Sequence, residues 1–117
     1  MGLFGSGAQL TVNLDEALVL LKDDAALVDV REIDEWEAGH APEAIHIPLA
    51  DVPGSPKGFD PRKPVLVICR SGRRSLTAAA QLRDEGFEAV SVNGGMAAWQ
   101  QAGGLVVRNS GDPGTIV

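Results

Sequence analysis

Tyrosine is absent from this 117-residue chain, aromatic residues make up only 4% of it, and cysteine occurs once. One cysteine cannot close an internal disulfide, which excludes a small secreted scaffold stapled by bridges. Basic residues are also scarce, with 10 Lys and Arg against 16 Asp and Glu, a net charge of −6 and a pI near 4.7. Such a surface does not suit nucleic acid, whose phosphates call for clustered cations free of a surrounding negative field. No run approaches the ~18 apolar residues of a membrane span, and residues 1–8 lack the basic start and long apolar stretch of a signal peptide. At 44% hydrophobic residues the chain is too apolar for wholesale disorder. Its length suits one small core. The expected setting is the cytoplasm, and neither a membrane nor a nucleic acid is expected as a partner.

Punctuation divides the sequence into short segments. The opening MGLFGSGA is read as a flexible N-terminus; Gly2 and Ser6 match a myristoylation pattern, but Gly/Ser-rich starts of this kind recur without that meaning. Residues 9–12 suit a strand. Asn13 then suits a helix N-cap before LDEALVLLK, with acids in the first turn and Lys22 at the end. ALVDV at 26–30 and VLVI at 65–68 read as strands buried on both faces. Residues 33–38 suit a short helix stopped by Gly39, and 44–47 a strand ended by Pro48. Pro53, Pro56, Pro61 and Pro64, with Gly54 and Gly58, mark a surface loop. A helix is expected over 73–85, with an apolar stripe of Leu76, Ala79, Ala80 and Leu82. A strand at 89–92, a Gly94–Gly95 turn and a helix at 96–102 close the pattern. Alternating strands and helices imply an α/β domain with a mostly parallel central sheet flanked by helices on both faces. The expected organisation is a domain over 9–104 and a loosely attached tail over 105–117.

The single cysteine stands at a telling place. Cys69 ends the strongest strand, and CRSGRRS joins it to the strongest helix. Ligands of parallel α/β sheets bind outside the carboxyl ends of the strands, where backbone N–H groups converge and a helix dipole adds positive potential. Gly72 permits the backbone conformation of a tight cradle. Arg70, Arg73 and Arg74 gather three of the ten basic residues within five positions. All of this favours thiolate over thiol and would hold an anionic substrate. The simpler reading, an inert buried cysteine beside a solvated basic helix, accounts less well for the joint placement of strand end, glycine turn and helix start.

Three blocks carry a resemblance: LVDVREIDEWEAGHAPEAIHIPL, VLVICRSGRR and VNGGMAAW, in that order. Together they resemble a single-domain rhodanese, a thiosulfate sulfurtransferase-like module, over roughly residues 12–107. The resemblance implies that Cys69 is the sulfur-carrying nucleophile, with Arg70, Ser71, Gly72, Arg73 and Arg74 cradling its persulfide and Ser75 closing the loop. Asp29–Val30–Arg31 and Gly39–His40 match family blocks, whereas Ala41–Pro42–Glu43 stands where Ile-x-Gly is more usual. The reaction implied is a double displacement. The Cys69 thiolate takes sulfane sulfur from a small anionic donor such as thiosulfate, releasing sulfite, and a small thiol or cyanide then accepts it. A sulfur-relay protein is a further partner to consider. Arg70 is the expected contact for the donor's sulfonate, with Arg73 and Arg74 either sharing that task or facing solvent. No cofactor is required.

Other residues support plainer roles. His40 and His46 have neither helical spacing nor neighbouring cysteines, so structural hydrogen bonds are expected and no metal. Asp29 and Arg31 suggest a structural ion pair near the site, with Glu35 on the following helix. Trp36 and Trp99 fill core or rim, Trp99 being a candidate wall of the pocket. Two other functions compete with sulfur transfer. Cysteine phosphatases and arsenate reductases related to rhodaneses place Arg six positions after Cys, where this chain has Ser75, and phosphate needs a longer loop. A sulfur-carrier or regulatory binding module is the second, though members that serve only for binding often lack the cysteine retained here.

Overall fold

The computed structural model describes residues 9–54 and 60–117. The N-terminal pattern around Gly2 and Ser6, and Pro56 and Gly58 of the proline-rich loop, lie outside the described residues. Five strands form one sheet: β1 (Thr11–Val12), β2 (Ala26–Asp29), β3 (Ile45–His46), β4 (Val65–Ile68) and β5 (Ala89–Val92). All pairings are parallel, in the order β1-β5-β4-β2-β3. The three inner strands are buried almost throughout, which is why their sequences run apolar without alternation.

Helices α1 (Leu14–Lys22), α2 (Ile33–Ala38), α3 (Arg73–Asp84) and α4 (Gly95–Gln101) follow β1, β2, β4 and β5 in turn. Asn13 caps α1 as expected: its Oδ1 accepts from the Glu16 amide at 2.8 Å, and Glu16 Oε1 accepts from the Asn13 amide at 2.9 Å, a reciprocal box that satisfies two orphan donors. Side chains alternate across the sheet. Leu27, Leu66, Ile68, Val90 and Val92 pack with Ala17, Met96 and Trp99 under α1 and α4. Val28, Val65, Val67, Ala89 and Cys69 pack with Ala78, Ala79 and Leu82 under α3.

The connections place the site. From β2 the chain moves outward to β3, whereas from the adjacent β4 it moves the other way to β5. The carboxyl ends of β2 and β4 are therefore where successive crossovers diverge, and a crevice opens there in parallel sheets. Asp29 ends β2 and Cys69 follows β4.

Four expectations need correction. The stripe that α3 buries is Ser75, Ala78, Ala79 and Leu82, while Leu76 and Ala80 are exposed; a helix starting one residue after Gly72 turns Ser75 inward to meet the thiol loop. The outer strands β1 and β3 are two residues each, shorter than expected, because an edge strand has a partner on one side only. Trp99 does not wall the thiol loop: its Nε1–H donates to the Leu105 carbonyl at 2.8 Å, and its ring packs in the core beneath α1. Finally, residues 105–117 are tied down. Val107 exchanges backbone hydrogen bonds with His40 at 2.8 Å in both directions, and the Thr115 amide donates to the Ala38 carbonyl at 2.9 Å. A Cβ on Gly39 would stand 2.6 Å from the Thr115 backbone. Main-chain docking of this kind leaves no periodic side-chain pattern to read.

Candidate active site

Cys69 is the first residue beyond β4, and its side chain is 1% exposed. The loop that follows folds back over the sulfur. Gly72, at φ +120°, turns its N–H onto Sγ at 3.0 Å, and the Ser75 hydroxyl lies 3.3 Å from Sγ. Burial pushes the Cys69 thiol up; the Ser75 hydroxyl and the Ser75, Gly72 and Ser71 amides outweigh it, and the net result lies below the ordinary thiol value. The expectation that this turn favours thiolate thus rests on hydrogen bonds more than on arginines.

The three arginines have separate surroundings. Arg74 is held by Glu35 of α2 through two bonds, 2.6 Å to Oε1 and 2.9 Å to Oε2. Arg74 in turn keeps the Glu35 carboxyl below the usual carboxylate range, against the opposing effect of burial. Arg70 is exposed, and its Nε donates to the Val117 main-chain oxygen at 3.1 Å, so the C-terminal segment reaches the loop. Arg73 is exposed on the rim. Ser71 lies exposed at the turn, and Ser75 is fully buried beneath it.

Asp29 and Arg31 do form an ion pair. Both are fully buried, with Arg31 Nη2 2.8 Å from Asp29 Oδ2 and Arg31 Nε 3.0 Å from Oδ1. Nη2 also donates to the Gly39 carbonyl at 2.7 Å, which ties the end of α2 to the end of β2. His40 Nδ1 donates to the Trp36 carbonyl at 2.8 Å and His46 Nε2 to the Arg31 carbonyl at 2.7 Å. The Trp36 ring stacks nearly parallel with both imidazoles, at centroid distances of 3.6 and 4.8 Å. These contacts tie α2, the segment after β2 and β3 to one another. Among the described residues, no three His, Cys, Asp or Glu side chains gather where a metal ion could be held.

Two contributors escaped the sequence reading. Ser91 of β5 is buried, and its hydroxyl lies 2.7 Å from that of Ser75; its only sequence signal is a lone polar residue in Ala-Val-Ser-Val. The other is Gly95, read merely as part of a turn. The Met96 amide donates to the Cys69 carbonyl at 2.7 Å and the Ala97 amide to the Arg70 carbonyl at 3.0 Å, so the start of α4 supports the loop from below. A Cβ on Gly95 would fall 2.3 Å from the Cys69 carbonyl oxygen, at a φ of +56°. Gly95→Ala is therefore expected to displace the loop and to slow chemistry at Cys69 at least about tenfold, since small misplacements of reacting groups are costly. Gly103→Ala, also at positive φ but with open space around it, should lower the melting temperature without changing Cys69 reactivity. Equal reactivity in the two variants would refute the support role.

Comparison with known proteins gives matches over most of the chain. A family model described as the rhodanese-like domain matches residues 13–102. YtwF of Bacillus subtilis, named as a candidate sulfurtransferase, is 41% identical over 78 residues, which cover 67% of this chain and 76% of YtwF. YrkF of the same organism, named as a candidate sulfur carrier protein, is 39% identical over 89 residues, covering 75% of this chain and 44% of YrkF. The crystal structure of a rhodanese-related protein from Thermoplasma volcanium superposes with a TM-score of 0.74 at 31% identity, covering 83% of this chain and 96% of that one.

Proposed function

Because the chain belongs to the rhodanese-like domain family, whose general role is sulfur transfer, we propose that Cys69 carries sulfane sulfur as a persulfide between a donor and a thiophilic acceptor. The observation that carries this reading is the buried Sγ accepting the Gly72 amide and facing the Ser75 hydroxyl. A thiolate so held is a preformed nucleophile, and no general base is needed. With thiosulfate, a bond forms between Sγ and the sulfane sulfur while the sulfur–sulfur bond of the donor breaks, and sulfite leaves with the electron pair. An acceptor thiolate or cyanide then attacks the outer sulfur of the persulfide and returns Cys69 as thiolate. Amides around the loop would stabilise the negative charge carried by the outer sulfur. Arg70 and Arg73 at the rim would meet an anionic donor, with Arg74 kept in place by Glu35. A cytoplasmic setting, where thiols stay reduced, suits such a cycle.

A persulfide on a partner protein would load the same atom, and the resemblance to YrkF gives that donor class equal standing for test. Intact mass is the direct measurement. After treatment with thiosulfate and removal of excess reagent, the protein should gain the mass of one sulfur atom, and cyanide should remove it with release of thiocyanate. Loading by a protein persulfide but not by thiosulfate would assign the chain to protein-to-protein sulfur relay. No gain from either donor would overturn the proposal.

A further inference from the structure

We infer that Ser91 is a positioning residue for the Cys69 thiolate, acting through Ser75; the persulfide reading gives this its purpose, but the inference itself concerns the free thiol. Ser91 is the one polar side chain in a strand buried at every position. A buried hydroxyl is costly unless bonded, and this one is bonded toward the active-site loop: its Oγ stands 2.7 Å from Ser75 Oγ and 3.4 Å from the Gly72 carbonyl oxygen. Ser75 Oγ stands 3.1 Å from the same carbonyl and 3.3 Å from Sγ.

Proton counting sets the argument. Each hydroxyl has one proton to donate. Ser75 alone would have its proton contested by the Gly72 carbonyl and the sulfur. By donating to Ser75 Oγ, Ser91 leaves Ser75 as the donor of the next bond, and the ionised sulfur is a stronger acceptor for that proton than the Gly72 carbonyl, which already accepts the Leu76 amide at 3.3 Å. A hydroxyl that accepts one bond is also a stronger donor in the next, and a bond to an ionised acceptor is the strongest available. The chain Ser91–Ser75–Sγ thus has a preferred direction when the sulfur is ionised. The charged groups around the thiol leave this chain distinct. Arg74 of α3 is paired with Glu35 of α2, Asp29 and Arg31 after β2 close on each other, and Arg70 and Arg73 lie at the exposed rim. Neither β5 nor α4 carries a titratable side chain.

The chain is well suited to a spectroscopic test. Cys69 is the only thiol and there is no tyrosine, so ultraviolet thiolate absorbance titrates this one group without tyrosinate. Ser91→Ala should raise the Cys69 midpoint by about half to one pH unit, the worth of one hydrogen bond. Ser75→Ala should raise it at least as far, and adding Ser91→Ala to Ser75→Ala should raise it no further. Ser91→Thr and Ser91→Val, equal in shape but differing by the hydroxyl, make the same comparison should the alanine variant fold poorly; Thr should titrate like the parent and Val like Ala. A parental midpoint in Ser91→Ala, or a full second shift in the Ser75→Ala background, would overturn the inference. Shifts as expected in a protein that never takes up sulfur would instead retain the inference and remove the sulfur-transfer reading.

Discussion

Cys69→Ala should abolish sulfur uptake and transfer, a loss of at least about a thousandfold, because no second nucleophile is available to form the covalent intermediate. The chain has no other cysteine. Thiocyanate formation from thiosulfate and cyanide, and sulfur uptake from a protein persulfide, are the two measurements. The substitution removes one sulfur atom from a buried position and leaves the backbone support of the loop intact, so the variant should retain its circular dichroism. Cys69→Ser is the sharper control, since a hydroxyl keeps the contacts with Gly72 and Ser75 but is not ionised near neutral pH. Transfer surviving in either variant would mean that the sulfur travels by another route.

Asp29→Ala should bring the largest loss of stability. Arg31 is wholly buried, and Asp29 supplies acceptors to its Nε, its Nη2 and its own amide. Arg31 Nη1 already has no partner among the described residues. Removing the carboxylate strands a guanidinium in the interior, at a cost of about 3–5 kcal/mol. For a domain of this size that lowers the melting temperature by roughly 12–20 °C. Asp29→Asn, which keeps one acceptor, should fall between. Replacing both partners, Asp29→Ala with Arg31→Met, should recover part of the loss because the stranded charge goes with the arginine. A single variant melting within a few degrees of the parent would show that the pair contributes little.

Much of the fold was legible because the strongest signals were local. VLVI and AVSV run without alternation between turn residues, and each of those strands begins and ends where the sequence places it. Asn13 and Glu16 fix the start of α1. Gly72 and the strand end before it placed Cys69 in a tight turn, as the structure has it. What the sequence obscured was decided by contacts distant along the chain. Which face of α3 turns inward depends on where the thiol loop releases the helix, so Leu76 lies outside and Ser75 inside. Arg74 could be counted as a free cation only until Glu35, 39 positions earlier, was seen to reach it. The tail carries Gly111, Pro113 and Gly114, residues of a loop, and nothing local reveals that its amides pair with residues 38–40.

The two outermost strands, β1 and β3, are each only two residues long. An open sheet offers its unpaired N–H and C=O groups to any extended chain that arrives, and long bare edges seed self-association. Here almost nothing is offered: the well-formed strands are enclosed within the sheet, and a neighbouring molecule finds too short a template to zip onto.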